Sequence, residues 1–176
     1  MAKIMALIPD RNWNEVKTQA SSFLATKKNA TRLQQARMKY ALGAASLASR
    51  DPNKALDYFA EALVLLHGSD ENLGSASITR SLDAYLRMPD VAQFLENSAV
   101  SAAVEARKHN PETVIPEMQM KTRPLNVKEA AALYRLHELM FPDRKLPAKY
   151  DAFAVSYKNP SAGTAEQAPA EAEKKQ

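Results

Sequence analysis

The chain has 176 residues, of which 45% are hydrophobic, and carries 24 lysines and arginines against 20 acids, a net charge of +4. It contains no cysteine, which excludes disulfides and thiolate metal sites. Its start lacks the apolar core of a secretory signal, and no stretch approaches the roughly 20 apolar residues of a membrane span. We therefore expect a cytoplasmic protein, or a component of a larger intracellular or viral assembly, with no membrane partner.

Helix-favouring residues dominate and alternating strand patterns are absent, which predicts an all-α fold. We expect one helical domain over 1–158, built as an antiparallel array of helical hairpins, and a disordered tail rich in Ala, Glu, Pro and Lys over 159–176. The six to seven predicted helices lie at about 13–25, 30–49, 52–66, 71–87, 89–108, 126–141 and 147–157.

Several predicted helix ends depend on particular residues. Asn12 is a candidate N-cap for the first helix. Asp51 followed by Pro52 predicts a sharp start for the third, because Asp accepts free backbone donors and Pro suits the first helical position. Gly68 can adopt the left-handed conformation that closes that helix.

The second half of the chain is less regular. Prolines interrupt an apolar segment over 110–125, which we interpret as an ordered crossover packed along the helices. Asn126 and Glu129 resemble a capping box for the sixth helix, with Leu125 as its hydrophobic staple. Residues 90–98 resemble the first helix of a DNA-binding helix-turn-helix, but 99–106 would be an unusually apolar recognition helix. We therefore predict one continuous helix over 89–108.

Residues 36–69 show a spacing of small and large side chains that is typical of a helical hairpin. The positions that carry it are Leu42, Gly43, Ala55, Phe59 and Ala62. This segment resembles one tetratricopeptide repeat, a family whose hairpins usually bind other proteins. Three positions depart from the family pattern: Lys39, Ser46 and His67. The resemblance implies a protein-binding surface on the first helix of each hairpin.

A single repeat is unusual, because such hairpins normally bury their apolar faces against neighbouring copies. Steps of 34 residues in either direction do not reproduce the pattern. The alternative is an ordinary antiparallel hairpin whose tight crossing needs the small residues Gly43, Ala55 and Ala62.

No constellation of catalytic residues is apparent. His67, His109 and His137 lie far apart in the sequence, and the glycines never cluster into a phosphate-binding loop. His137-Glu138 begins like a zinc-protease helix, but Phe141 stands where the second His would be. We expect no enzymatic activity, no metal and no cofactor.

Charge is divided unevenly along the chain. Residues 1–50 hold nine lysines and arginines against two acids, and residues 51–100 hold three against eight. A chain so divided can bind an acidic partner, pair with itself or contact nucleic acid phosphates. The candidate phosphate-binding residues are Lys17, Lys27, Lys28, Arg32 and Arg37.

The function we favour from sequence is a non-catalytic adaptor or assembly protein that binds a helix or peptide of another protein, or of a second copy. Binding would occur in a groove lined by the second and fourth predicted helices. The candidate partner-binding residues are Lys39, Tyr40, Ser46 and Arg50. Nucleic-acid binding through the basic N-terminal third is the alternative.

Overall fold

The computed structural model describes residues 2–115 and 123–157. Throughout those ranges the regular elements are helices, so the predicted all-α class is confirmed. The predicted tail and the centre of the 110–125 segment lie outside the described residues. The helices are α1 (Ala2–Ala6), α2 (Trp13–Thr26), α3 (Arg32–Ala48), α4 (Pro52–Leu66), α5 (Glu71–Tyr85), α6 (Pro89–Leu95), α7 (Ser98–Arg107), α8 (Leu125–Met140) and α9 (Asp151–Ala154), the last preceded by a 3-10 turn at Ala148–Tyr150.

The helices pack mainly against their neighbours in sequence. Helix α3 lies between α2 and α4, α4 packs on α5, and α5 packs on α8. The short connections between α2, α3, α4 and α5 make these neighbours antiparallel. Helix α1 contacts α2 and α3, while α8 also contacts α6 and α9. The result is an array of hairpins, and its relation to the tetratricopeptide family stays a prediction.

Helices α3 and α4 approach each other closely where they cross at Gly43. A Cβ atom added to Gly43 would lie 2.6 Å from Cε1 of Phe59, far inside van der Waals contact. Phe59, Ala55 and Ala62 are fully buried, and the Phe59 ring packs at a tilt against Tyr40 with centroids 5.7 Å apart. Glycine is therefore required at this crossing because the ring occupies the space of a side chain.

Helix α4 begins and ends much as its sequence predicts. The Asp51 carboxylate accepts the backbone N–H of Lys54 at 3.1 Å, and Pro52 occupies the first helical position. The helix ends at His67, which is left-handed at φ 46°, and Gly68 follows with φ 78°. The predicted left-handed closure is present, but it starts one residue before the glycine.

The predicted cap of α2 is wrong. The Asn12 side chain donates to Glu15 at 2.8 Å and accepts no backbone N–H of α2. Helix α3 begins with a capping box that was not predicted. Thr31 accepts the N–H of Gln34, whose side chain accepts the N–H of Thr31 in return. Ser/Thr-x-x-Glu/Gln is the signature of this box.

The predicted capping box and staple of the sixth helix are also wrong, although the helix begins within one residue of the predicted start. Helix α8 begins at Leu125 without a side-chain cap, and Leu125 is 68% exposed rather than packed as a staple. The Asn126 amide donates instead to Asp90 at 2.9 Å, and Glu129 accepts the hydroxyl of Tyr85 at 2.9 Å. Both side chains are recruited by tertiary partners, which outweighs the local cap.

The predicted continuous helix over 89–108 is broken into α6 and α7. The break falls at Glu96 and Asn97, and the Asn97 side chain accepts the N–H of Ala99 at 2.8 Å. Asn competes for backbone donors in this way and so ends one helix while it starts the next. The predicted helix over 147–157 is likewise a 3-10 turn followed by the single turn of α9.

Candidate functional site

A groove runs along one side of the array between α3 and α5. It consists of three adjoining concavities of about 590, 350 and 600 Å³. Tyr40 and Ala76 line the first and second, and Arg80 lines the second and third. Because neighbouring concavities share lining residues, the three form a row along α3 and α5. Its two sides are the second and fourth helices of the sequence prediction.

Small and apolar side chains line much of this groove. Ala44 and Ala48 of α3 and Ala76 of α5 present little bulk, so a partner backbone can approach closely. Met5 and Leu73 line the first concavity, and the third is lined by Ile8, Pro9, Trp13 and Leu47. Helix α5 has 15 residues and so is about 22 Å long, enough for about four turns of a bound helix.

The charges of the groove change along its length. At the first concavity Arg37 pairs with Asp70 at 3.4 Å. At the second, Arg80 and Lys149 share the carboxylate of Asp83. The third is lined by three arginines, and none of the residues that line it is acidic. Positive charge is therefore concentrated at the end where α3 terminates.

In the wall of the groove, the Asp83 carboxylate is hydrogen-bonded to three other side chains. Its carboxylate accepts the Tyr150 hydroxyl at 2.8 Å, Lys149 Nζ at 2.5 Å and Arg80 Nη1 at 3.2 Å. Burial alone would raise the pKa of Asp83, but hydrogen bonds from Lys149 and Tyr150 and the nearby cations lower it overall. Burial, together with Asp83, raises the pKa of Tyr150 to about 12. The cluster fastens the 3-10 turn before α9 to α5.

The four predicted partner-binding residues do not share one surface. Tyr40 lines the groove. Lys39 pairs with Glu61 of α4. Ser46 is 3% exposed, so its side chain cannot contribute to a surface. Arg50 is exposed in the connection to α4 and is left-handed at φ 61°.

The five predicted phosphate-binding residues are also divided. Lys17 donates to Ser49 Oγ at 2.7 Å, beside the end of α3, and Arg37 pairs with Asp70 in the groove. The 17 residues of α3 separate its two ends by about 25 Å. Three of the residues are exposed together around the connection of α2 to α3: Lys27, Lys28 and Arg32.

Most residues that line the groove were not predicted from the sequence. The wall on the α5 side includes Asn72, Ala76, Arg80 and Asp83 of α5 and also Arg87, two residues beyond the end of that helix. These residues recur at three- or four-residue intervals, which places them along one side of a helix. This spacing of polar and small residues is the sequence signal from which the α5 side of the groove could have been predicted. A helix surface that simply faces solvent produces the same pattern.

A second polar contact lies outside the groove, between α5 and α8. The Ser75 hydroxyl and His137 Nε2 are 2.8 Å apart, and His137 is 2% exposed. Among the described residues His137 Nδ1 has no hydrogen-bond partner. Burial and then the positive charge of Arg144 lower the pKa of His137. A protonated imidazole would bury a second N–H donor without an acceptor, so the structure favours the neutral ring.

We expect His137 to make the fold sensitive to mild acid. Unfolded His137 binds a proton near its ordinary pKa of 6.5, but the folded residue binds it only at lower pH. The contribution of His137 to stability is therefore complete above about pH 6.5. It is lost as the pH falls, and the free energy of unfolding then decreases by at most about 1.4 kcal/mol per pH unit. The measurement is urea unfolding between about pH 7 and pH 5.

The matched variant is His137→Gln, whose side-chain amide can still bond to Ser75 but does not titrate. The difference in free energy of unfolding between wild type and variant should shrink or reverse as the pH falls. Parallel pH curves for the two proteins would contradict the prediction. Carboxylates common to both proteins cancel in this difference.

Within 2–115 and 123–157 no three His, Asp or Glu side chains lie together as a metal site would require. Across the same ranges, no helix combines the length and apolar character needed to cross a membrane. Comparison with known proteins gives no further assignment: no family model, curated protein or solved structure matches the chain. The groove and its charges are therefore the observations on which function must be argued.

Proposed function

We propose that this chain is a non-catalytic interaction or assembly protein that binds a helical or extended segment of another protein in the groove between α3 and α5. The observation that carries the proposal is the row of three adjoining concavities along both helices. Grooves of this kind bind amphipathic segments through apolar anchors, while charges at the rim set their orientation.

The chemistry of the groove supports binding rather than catalysis. Asp70 and Asp83, the carboxylates that line it, are already paired with cations. Three hydrogen bonds and ion pairs hold Asp83 in a structural role, and His137 lies outside the groove lining. A paired carboxylate is a poor general base, because its partners stabilise the ionised form.

Two alternative functions predict different results in the partner-capture experiment that tests the groove. Nucleic-acid binding would use the exposed group Lys27, Lys28 and Arg32, beyond the groove. Self-association could instead use the outer side of α8, where Leu136, Leu139 and Met140 are 40 to 62% exposed. Each alternative leaves the groove free.

The variant that tests the groove is Ala76→Arg. Ala76 lies in the wall shared by the first two concavities, so an arginine there fills the path of a bound segment. We expect the partners captured by the tagged protein from a lysate of its own cells to fall roughly tenfold or more, as measured by quantitative mass spectrometry with nuclease present. A tenfold loss corresponds to about 1.4 kcal/mol of binding free energy.

The control is Ala102→Arg, the same substitution at an exposed position of α7 outside the groove lining. It should leave capture and melting temperature unchanged. Equal capture by both variants would reject the groove as the binding site. Capture abolished by nuclease would favour the nucleic-acid alternative, and a purified dimer unaffected by Ala76→Arg would favour self-association through another surface.

A further inference from the structure

The third concavity of the groove has a distinct composition. It measures about 600 Å³ and lies where the connection between α1 and α2 meets the end of α3. Arg11, Arg80 and Arg87 line it together with the apolar side chains of Ile8 and Trp13. A concentration of guanidinium groups beside apolar surface suits a ligand that is itself both charged and apolar.

Two of these arginines are positioned by backbone contacts. Arg11 is left-handed at φ 56° in a turn closed by its own N–H, which donates to the Ile8 carbonyl at 3.1 Å. Arg87 Nη1 donates to the Leu47 carbonyl at 2.6 Å, at the end of α3. That bond covers part of the negative end of the α3 dipole, which would otherwise disfavour an anion here.

Acidic side chains neutralise only part of the positive charge of the third concavity. Of the three arginines only Arg80 pairs with a carboxylate among the described residues, and its side chain is still 50% exposed. Guanidinium groups bind carboxylates through two parallel hydrogen bonds, so Arg11 and the exposed part of Arg80 are suitable donors. Trp13 and Ile8 beside them can contact an adjacent apolar side chain.

From this arrangement we infer that the third concavity binds an acidic side chain of the partner segment beside an apolar one. The groove then selects acidic amphipathic segments and orients them with the acidic end at the end of α3. This inference rests on the proposed function. It adds a preference for acidic segments, which the shape of the groove alone does not explain.

The rest of the groove favours a peptide over a nucleic acid. Each cation that lines the first and second concavities is already paired with a carboxylate, Arg37 with Asp70 and both Arg80 and Lys149 with Asp83, so a phosphate backbone would find no unpaired cation among the described residues along its path. A peptide can place its acid at one end and neutral side chains along the remainder. The charge distribution is therefore matched by a segment whose charge is confined to one end.

A peptide-display selection tests the inference without knowledge of the native partner. A random library is selected on the full-length protein, with Ala76→Arg as the blocked-groove control and Arg11→Gln with Arg80→Gln as the cavity variant. We expect the selected peptides to place Asp or Glu next to an apolar residue. Their affinities, measured by fluorescence anisotropy, should fall roughly tenfold or more in the cavity variant.

The matched control is Arg32→Gln, an exposed arginine at the other end of α3, which should bind the same peptides unchanged. Peptides that need the open groove but show no acidic preference would overturn the inference and leave the proposed function standing. Failure to find any peptide that distinguishes wild type from Ala76→Arg would count against the proposed function itself. A DNA oligonucleotide that displaces the peptides from wild type but not from the cavity variant would assign the cavity to phosphate instead.

Discussion

Replacement of Gly43 by valine should lower the free energy of unfolding by about 3 kcal/mol, the upper part of the usual range for overpacking a core. The Cβ of the new side chain would lie 2.6 Å from Phe59, and the ring is fully buried against Tyr40 and cannot swing into solvent. Gly43→Ala should cost less, since alanine adds one methyl group and improves helix propensity by about 1 kcal/mol. Urea unfolding of both variants measures the effect.

A double-mutant cycle separates steric clash from loss of glycine flexibility. Phe59→Leu should be destabilising alone but should tolerate Gly43→Ala, because the smaller side chain frees the space beside α3. The cost of Gly43→Ala should therefore be smaller in the Phe59→Leu background. Additive effects of the two substitutions would show that the ring does not determine the need for glycine.

Removal of the Asp83 carboxylate should lower the free energy of unfolding by about 2 kcal/mol in Asp83→Ala, as expected for the loss of hydrogen bonds to a charged group. The buried Tyr150 hydroxyl keeps the Thr79 carbonyl as an acceptor at 3.2 Å but loses its shorter bond to Asp83, which loosens the attachment of α9 to α5. Because the native pKa of Asp83 lies below its ordinary value of 3.8, the carboxylate stabilises the fold above that pH and less so below it. The effect of the variant should therefore fade in strong acid.

The control for Asp83→Ala is Glu61→Ala. Glu61 also pairs with a lysine, Lys39, but its side chain is 48% exposed. An exposed pair typically contributes less than about 1 kcal/mol, so this variant should unfold almost as the wild type does. Equal melting temperatures for the two variants would show that the Asp83 cluster is no more than a surface ion pair.

Local signals in the sequence predict much of the helix pattern. Asp51 with Pro52 locates the start of α4 because the cap and the first turn use only neighbouring residues. Gly43 indicates the close crossing for a similar reason, since a helix interior tolerates glycine poorly unless packing requires it. The capping box of α8 was predicted wrongly because distant partners compete, Asp90 for Asn126 and Tyr85 for Glu129. Asn12 and Asn97 were also predicted wrongly, although their partners are local.

The candidate site was predictable only in outline. A groove between the second and fourth helices follows from antiparallel hairpins, and Tyr40 indeed lines it. The third concavity could not be predicted from the sequence, because Arg11 and the pair Arg80 and Arg87 come from two distant parts of the chain and meet only in the folded protein. Ser46 was predicted to be accessible because the first helix of a repeat hairpin lines the binding side, but packing of α3 between α2 and α4 buries its side chain.

Trp13 gives the charged end of the groove an intrinsic optical signal. It is the single tryptophan of the chain and lines the third concavity beside the arginines. Indole emission from the unlabelled protein therefore originates at this one place. A ligand that fills the concavity alters the polarity around the ring and its access to a soluble quencher, whereas binding at the distant connection of α2 to α3 leaves that emission unchanged.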